Sequence, residues 1–187
     1  YLLGHAKTDA TMRIEDGALR IIGDDNVDPG DGTTKNNRTQ ILLTNDERIS
    51  EQGVVIETDY TFNEGSQNAF TFQSNPIDET LKTIDSGKIW ISGIWDKGYR
   101  TCLRTNGAWN NPGKLNESDT AYSVAGTEYN LKLVVSPTEG MTLSVKKATD
   151  SEYTVLQSLS VAEMEAANGS YGECLNDYVR LVIQCTC

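Results

Sequence analysis

Tyr129-Asn130-Leu131-Lys132-Leu133-Val134-Val135, then Ser136-Pro137-Thr138-Glu139-Gly140, then Met141-Thr142-Leu143-Ser144-Val145-Lys146-Lys147: this stretch decides the fold class. Apolar side chains recur at every second position on both sides of a segment rich in turn-forming residues. Period two places alternate side chains on opposite faces of an extended chain, so the stretch predicts two strands joined in a hairpin with one face buried. The same period recurs outward from it. Met12-Arg13-Ile14-Glu15 and Leu19-Arg20-Ile21-Ile22 flank Asp16-Gly17, a strong hairpin signal because both turn positions tolerate positive φ. In residues 54–62, Ile56, Thr58, Tyr60 and Phe62 share one face, and Glu57, Asp59 and Thr61 share the other. Ala69–Phe72, Lys88–Trp95, Tyr99–Arg104, Tyr153–Leu159 and Tyr178–Gln184 complete the set of expected strands.

One stretch is helical in character. Ser160-Val161-Ala162-Glu163 has the form of a capping box, and Asn168-Gly169 offers a left-handed stop, predicting a short helix near 160–168. About ten short strands with one connecting helix imply two stacked antiparallel sheets. The expected fold is an all-β, two-sheet antiparallel β-sandwich of jelly-roll type. The 187 residues form one expected domain, which buries roughly two thirds of its unfolded surface. The chain is expected to be one module of a larger protein, tethered to other domains.

Charge narrows the partners. Sixteen Lys plus Arg against 27 Asp plus Glu give a formal net charge of −11, which repels nucleic acid and anionic membranes; Lys146-Lys147 is the nearest approach to a basic patch. No apolar run approaches the roughly 18 residues needed to span a bilayer, so no membrane insertion is expected. Cysteines at 102, 174, 185 and 187 form an even set without zinc-type spacing, and the single histidine, His5, lies in what reads as a loose terminus. They predict disulfides and an extracellular location, secreted or at the cell surface. Cys185 and Cys187 are unsuited to pair with each other, leaving Cys102–Cys185 with Cys174–Cys187, or the swapped arrangement. Four buried thiols are the other reading.

The late hairpin, read as Tyr129-x-Leu131-x-Leu133, a turn, then Leu143-x-Val145, resembles that of the concanavalin A-like lectin/glucanase superfamily, laminin G-like modules included. The resemblance implies a sandwich whose sheet face or loop end binds glycans. Glycanases of that superfamily often carry Glu-x-Asp-x-x-Glu on one strand. Here Glu57-Thr58-Asp59-Tyr60-Thr61-Phe62 puts a phenyl ring where the second Glu belongs. A ring cannot serve as a general acid, so Glu57 and Asp59 are read as the solvent face of a strand. With one histidine, no Gly-x-Ser-x-Gly elbow and no phosphate-cradling glycine loop, no catalytic motif is found.

Two features remain. Asp24, Asn26, Asp28 and Asp31 crowd hard oxygen ligands into a loop suited to structural calcium, although Pro29 and Lys35 break the EF-hand pattern. A solvated acidic turn explains the same residues. The three tryptophans, Trp90, Trp95 and Trp109, fall together with Tyr99, Arg100 and Asn110. Flat aromatic rings stack on the C–H face of a sugar, while amide and guanidinium groups read its hydroxyls. Trp90 and Trp95 lie at odd spacing on one strand, so they occupy opposite faces, and Trp109 is expected on a loop. The expected function is a non-catalytic, lectin-like module binding a polysaccharide or other glycan through these six residues. The alternatives are a protein-interaction or adhesin domain of a cell-surface protein, in which the same aromatics face another protein, and a polysaccharide-degrading enzyme whose carboxylates converge from different strands.

Overall fold

Alternation in the sequence becomes alternation in burial. In the computed structural model, residues 54–61 form a strand along which the even-numbered side chains are sheltered and the odd-numbered ones exposed. The structure describes residues 2–5, 11–22, 37–42, 53–63, 66–75, 88–95, 98–105, 108–110, 121–168, 171–175 and 178–186. Within them the strands are β1 (Leu2–His5), β2 (Thr11–Glu15), β3 (Ala18–Ile22), β4 (Asn37–Leu42), β5 (Val54–Thr61), β6 (Ser66–Asn75) and β7 (Lys88–Trp95). They continue with β8 (Gly98–Thr105), β9 (Ala108–Asn110), β10 (Glu128–Ser136), β11 (Gly140–Lys147) and β12 (Thr154–Leu159). Two short helices, α1 (Val161–Asn168) and α2 (Tyr171–Cys174), precede β13 (Tyr178–Thr186).

The strands build antiparallel sheets. One has seven strands in the order β1-β4-β13-β6-β7-β8-β9, a second has four in the order β12-β11-β10-β5, and β2 pairs with β3 as a separate hairpin. The chain is therefore all-β in class, with short helical connectors. In the β2–β3 hairpin Asp16 and Gly17 have φ of 52° and 79°, the doubly positive turn that Asp-Gly favours. The β10–β11 hairpin closes from Ser136 to Gly140. There the Ser136 hydroxyl accepts the amides of Thr138 and Glu139 at 3.3 and 3.1 Å, and Gly140 takes φ of 102°, which a side chain would strain.

Both larger sheets contribute to one buried cluster. Tyr60, Tyr129, Leu131, Leu133, Leu143 and Val145 come from the four-stranded sheet, and Phe70, Phe72, Trp90, Ile94 and Leu103 from the seven-stranded one. Aromatic rings link the two: Tyr60 stacks on Tyr129 at 5.3 Å and on Phe70 at 5.4 Å, and Phe70 meets Phe72 edge-on at 6.0 Å. Burying phenols requires partners for their hydroxyls. Tyr60 donates to the Tyr122 carbonyl at 2.6 Å, Tyr129 to the Ala121 carbonyl at 3.0 Å, and Tyr171 of α2 to the Ser136 carbonyl at 2.9 Å.

Helix α1 starts as the capping box predicts. The Ser160 amide donates to the Glu163 carboxylate at 2.8 Å, and the Glu163 amide donates to the Ser160 hydroxyl at 3.3 Å. The Ser160 hydroxyl, donating to the same carboxylate at 2.7 Å, and then the Ser160 amide hold the Glu163 carboxyl below the ordinary carboxylate range. Met164 of α1, Tyr171 of α2 and Leu175 are buried in the shared cluster.

Two expectations change. His5 does not lie in a loose terminus: it is in β1, paired with Arg38 of β4. Trp109 does not ride a loop: it is the middle residue of β9, paired with Arg104. In both cases backbone pairing to a neighbouring strand supplies order that a short apolar or mixed segment does not announce by period.

Candidate functional site

Parity along β7 and β8 assigns the expected binding residues to faces. Trp90, Ser92 and Ile94 share one face of β7, and Trp90 and Ile94 join the buried cluster between the sheets. Trp90 is 0 % exposed, so it is a core residue and is removed from the expected sugar platform. Its backbone amide donates to the Ser74 hydroxyl at 3.0 Å, while its indole Nε1 has no hydrogen-bond partner among the described residues. Tyr99 shares its face of β8 with Leu103 and packs half-buried against the same cluster. Asn110 pairs with Leu103, which places position 110 on that face as well.

The opposite face of the seven-stranded sheet carries Trp95. Its side chain is half-buried and packs against buried Ile91 and Cys102. Register places position 100, paired with Gly93, and position 109, paired with Arg104, on the Trp95 side of the sheet. Trp95, Arg100 and Trp109 therefore share one face, and Trp90, Tyr99 and Asn110 the other. The side chains of Arg100, Trp109 and Asn110 lie outside the described part of the structure. Towards the middle of the Trp95 face the sheet is closed to solvent: Thr71, Gln73, Ile91 and Cys102 are all buried. Of the cysteines expected to pair, only Cys102 has a described side chain.

The open face of the four-stranded sheet holds a cluster that sequence reasoning missed. Glu57 of β5 pairs with Lys132 of β10 at 2.7 Å, and Asp59 of β5 accepts a hydrogen bond from the Asn130 amide. The Lys132 and Lys146 ammonium groups stand 5.6 and 5.0 Å from the centre of the Tyr153 ring, which precedes β12. The hydrogen bond and negative charge of Glu57 raise the Lys132 ammonium above its ordinary range. Partial burial, then the charge of Glu57, raise the Tyr153 hydroxyl against the opposing charge of Lys132. Glu57 and Asp59 are exposed on this face, as the alternation in 54–62 predicts. Register assembles the residues beside Tyr153: Lys146 pairs with Asn130, Asn130 with Asp59, and Lys132 with Glu57, so residues far apart in sequence form adjacent rows.

Asp24, Asn26, Asp28 and Asp31, the expected calcium ligands, lie outside the described residues. Among the described residues no group of three His, Cys, Asp or Glu side chains is placed to hold a metal ion, and no helix is long and apolar enough to cross a membrane. Compared with protein-family models and with curated proteins, the chain matches none.

Proposed function

We propose that this chain is a non-catalytic, lectin-like carbohydrate-binding module, working outside the cell on a polysaccharide or other glycan. The observation that carries the reading is Trp95, an indole only half-buried at the end of β7, on the face where register also places Arg100 and Trp109. An accessible indole stacks on a sugar ring, and guanidinium groups beside it supply forked donors for hydroxyls. The fold proposed with it is a two-sheet β-sandwich of the concanavalin A-like kind. The buried cluster drawn from both sheets and the Tyr60–Phe70 ring contact support that arrangement. Recognition on a sheet end is shallow, so useful affinity comes from repetition along a polymer and from neighbouring modules. Calcium bound by Asp24, Asn26, Asp28 and Asp31 belongs to the same proposal as a loop-pinning ion.

The test is a polysaccharide and glycan-array screen with the parent chain and Trp95→Ala, with and without EDTA. The proposal expects a glycan ligand and at least a tenfold loss of affinity in Trp95→Ala, about 1.4 kcal/mol, with the parent's far-UV circular dichroism retained. Equal binding by the variant overturns the site, and absence of any glycan ligand overturns the function. Weakened binding or a lowered melting temperature in EDTA supports the ion, and indifference to EDTA removes it.

A further inference from the structure

The seven strands of the larger sheet contain no Asp or Glu, in a chain with 27 acidic residues against 16 Lys plus Arg. Their charges are basic instead, and register gathers most of them on one face. Across β7, β6, β13, β4 and β1, cross-strand pairing sets Trp95, Ala69, Gln184, Arg38 and His5 in one row. Arg100 begins the next row, paired with Gly93; Arg180 pairs with Gln73 in the row after, and Arg104 pairs with Trp109. Four of the chain's seven arginines are therefore placed on the Trp95 face, and no described strand places an acidic residue there. This positive excess is local. At physiological salt, charges beyond roughly 8 Å are largely screened, so the overall charge of −11 does not decide what approaches this face. The fork of a guanidinium also matches two oxygens of an oxyanion, which an ammonium does not.

The middle rows of the face, with Thr71, Gln73, Ile91 and Cys102, are buried, so a ligand is placed along the row through Trp95. Position 100 is the diagonal neighbour of Trp95 across the β7–β8 pair, about 7–8 Å away. Position 38 lies three strands off in the row of Trp95, about 14 Å away, with Gln184 between them. One indole, an arginine on either side of it and an amide between suit a chain of sugars carrying acid groups on separate units. A single-stranded nucleic acid stacks successive bases on successive aromatic rings, and this row has one. We infer that the glycan bound at Trp95 is an acidic polysaccharide lying across the strands. Trp95 stacks on one ring, Arg100 and Arg38 pair with carboxylates or sulfates on different units, and Gln184 reads a hydroxyl between them. The inference rests on the glycan-binding reading of Trp95 and names the ligand class of that site.

The experiment is affinity electrophoresis of the full chain at about 0.15 M salt through gels containing polygalacturonate, dextran sulfate, neutral dextran or single-stranded DNA. The first two distinguish a carboxylate from a sulfate, dextran reports a neutral sugar, and DNA reports an anion of another class. Retardation by polygalacturonate or dextran sulfate, beyond that by dextran and DNA, is expected, and it should fall as salt is raised. Arg100→Gln and Arg38→Gln should each weaken it about tenfold, the scale of one charge-assisted contact. Arg100→Lys, which keeps the charge and loses the fork, should fall between parent and Arg100→Gln. Lys147→Gln removes the same charge from an exposed position on the other sheet and should leave retardation unchanged. No retardation by either acidic polysaccharide, equal retardation by DNA, salt-independent retardation, or an effect of Lys147→Gln as large as that of the arginine changes overturns the inference. If a neutral glycan is bound through Trp95 and neither arginine matters, the acidic ligand class falls and the glycan-binding reading stands. If the acidic polymers need the arginines while Trp95→Ala binds like the parent, the Trp95 site and this inference fall together.

Discussion

Replacing Trp90 separates a core role from a ligand role. The side chain is fully buried with Phe72, Ile94 and Leu103. Truncating a buried tryptophan to alanine costs about 3–5 kcal/mol through lost apolar transfer and the cavity left behind. For a chain of 187 residues each kcal/mol moves the melting temperature by roughly 2–4 °C, so Trp90→Ala should melt on the order of 10–15 °C lower. Trp90→Phe tests a finer point. The indole Nε1 is buried without a hydrogen-bond partner among the described residues, and such an orphan costs about 1–3 kcal/mol. Phenylalanine gives up part of the ring's packing but removes the orphan donor, and the two effects are of similar size. Trp90→Phe should therefore stay within about 1 kcal/mol of the parent. The assay is thermal and urea unfolding followed by far-UV circular dichroism, with fluorescence of the two remaining tryptophans as a second probe. A Trp90→Ala variant that melts like the parent yet loses glycan affinity would refute the core assignment. A Trp90→Phe variant as unstable as Trp90→Ala would show that Nε1 has a partner beyond the described residues.

Three further outcomes follow from specific contacts. A methyl group at Gly93 would collide with the Phe70 carbonyl oxygen and come within 2.7 Å of the Thr71 Cα, both backbone atoms of β6, so Gly93→Ala should cost about 2–3 kcal/mol in urea unfolding. Tolerance of alanine would mean that β6 and β7 are less closely packed than this. Burial first, then the neighbouring Tyr129 and Tyr122, lifts the Tyr60 hydroxyl far above the ordinary tyrosine range. Its folded-state value is raised, so its contribution to stability is complete below about pH 10, where the unfolded phenol begins to ionise, and declines as pH rises from there. Tyr60→Phe should lower stability at neutral pH by about 1 kcal/mol, for the lost bond to the Tyr122 carbonyl, and flatten the alkaline decline; an unchanged pH profile counts against the buried phenol. The Glu163 carboxyl is held low by Ser160, so the stability it adds is present above the ordinary carboxylate pKa and is lost as pH falls through its depressed value. Ser160→Ala should raise the Glu163 titration midpoint in carboxyl-resolved NMR and speed amide exchange in the first turn of α1, and an unmoved midpoint would deny the reciprocal cap.

Features set by neighbours along the chain were legible from sequence, and those set by neighbours across sheets were not. The Asp16-Gly17 turn, the Ser160/Glu163 box and the β10–β11 hairpin each depend on residues within a few positions of one another, and all three were expected where they occur. Strands β1 and β4 carry Leu2-Leu3 and Ile41-Leu42 without alternation, so no period marked them; they are ordered by pairing with each other and, for β4, with β13. The signal for β9 was present in Asn106-Gly107, which falls between the paired residues Thr105 and Ala108, but asparagine and glycine around Trp109 also read as loop. Odd spacing placed Trp90 and Trp95 on opposite faces, as observed, yet parity alone cannot say which face is the inner one. Position 93 must be glycine for β6 to approach, whereas Ile94 has an apolar side chain to bury.

The same constraint bears on where a ligand can be read. On a strand whose one face is committed to a shared core, only alternate residues remain for chemistry, and a cluster dense in sequence is divided in space. Six residues between 90 and 110 were expected to cooperate, and parity splits them three and three. On the four-stranded sheet the logic runs the other way. Glu57, Asp59, Asn130, Lys132 and Lys146 lie on three strands, and none stands out in its own segment. The antiparallel register brings Lys146, Asn130 and Asp59 into one row and sets Lys132 beside Glu57 in the next, with Tyr153 near both lysines. A β-sheet surface thus concentrates chemistry across strands rather than along them. Such groupings are found by following cross-strand pairs from an aromatic ring that keeps part of its surface open, and the half-buried Trp95 and Tyr153 each stand in one, on faces where Trp90 does not lie.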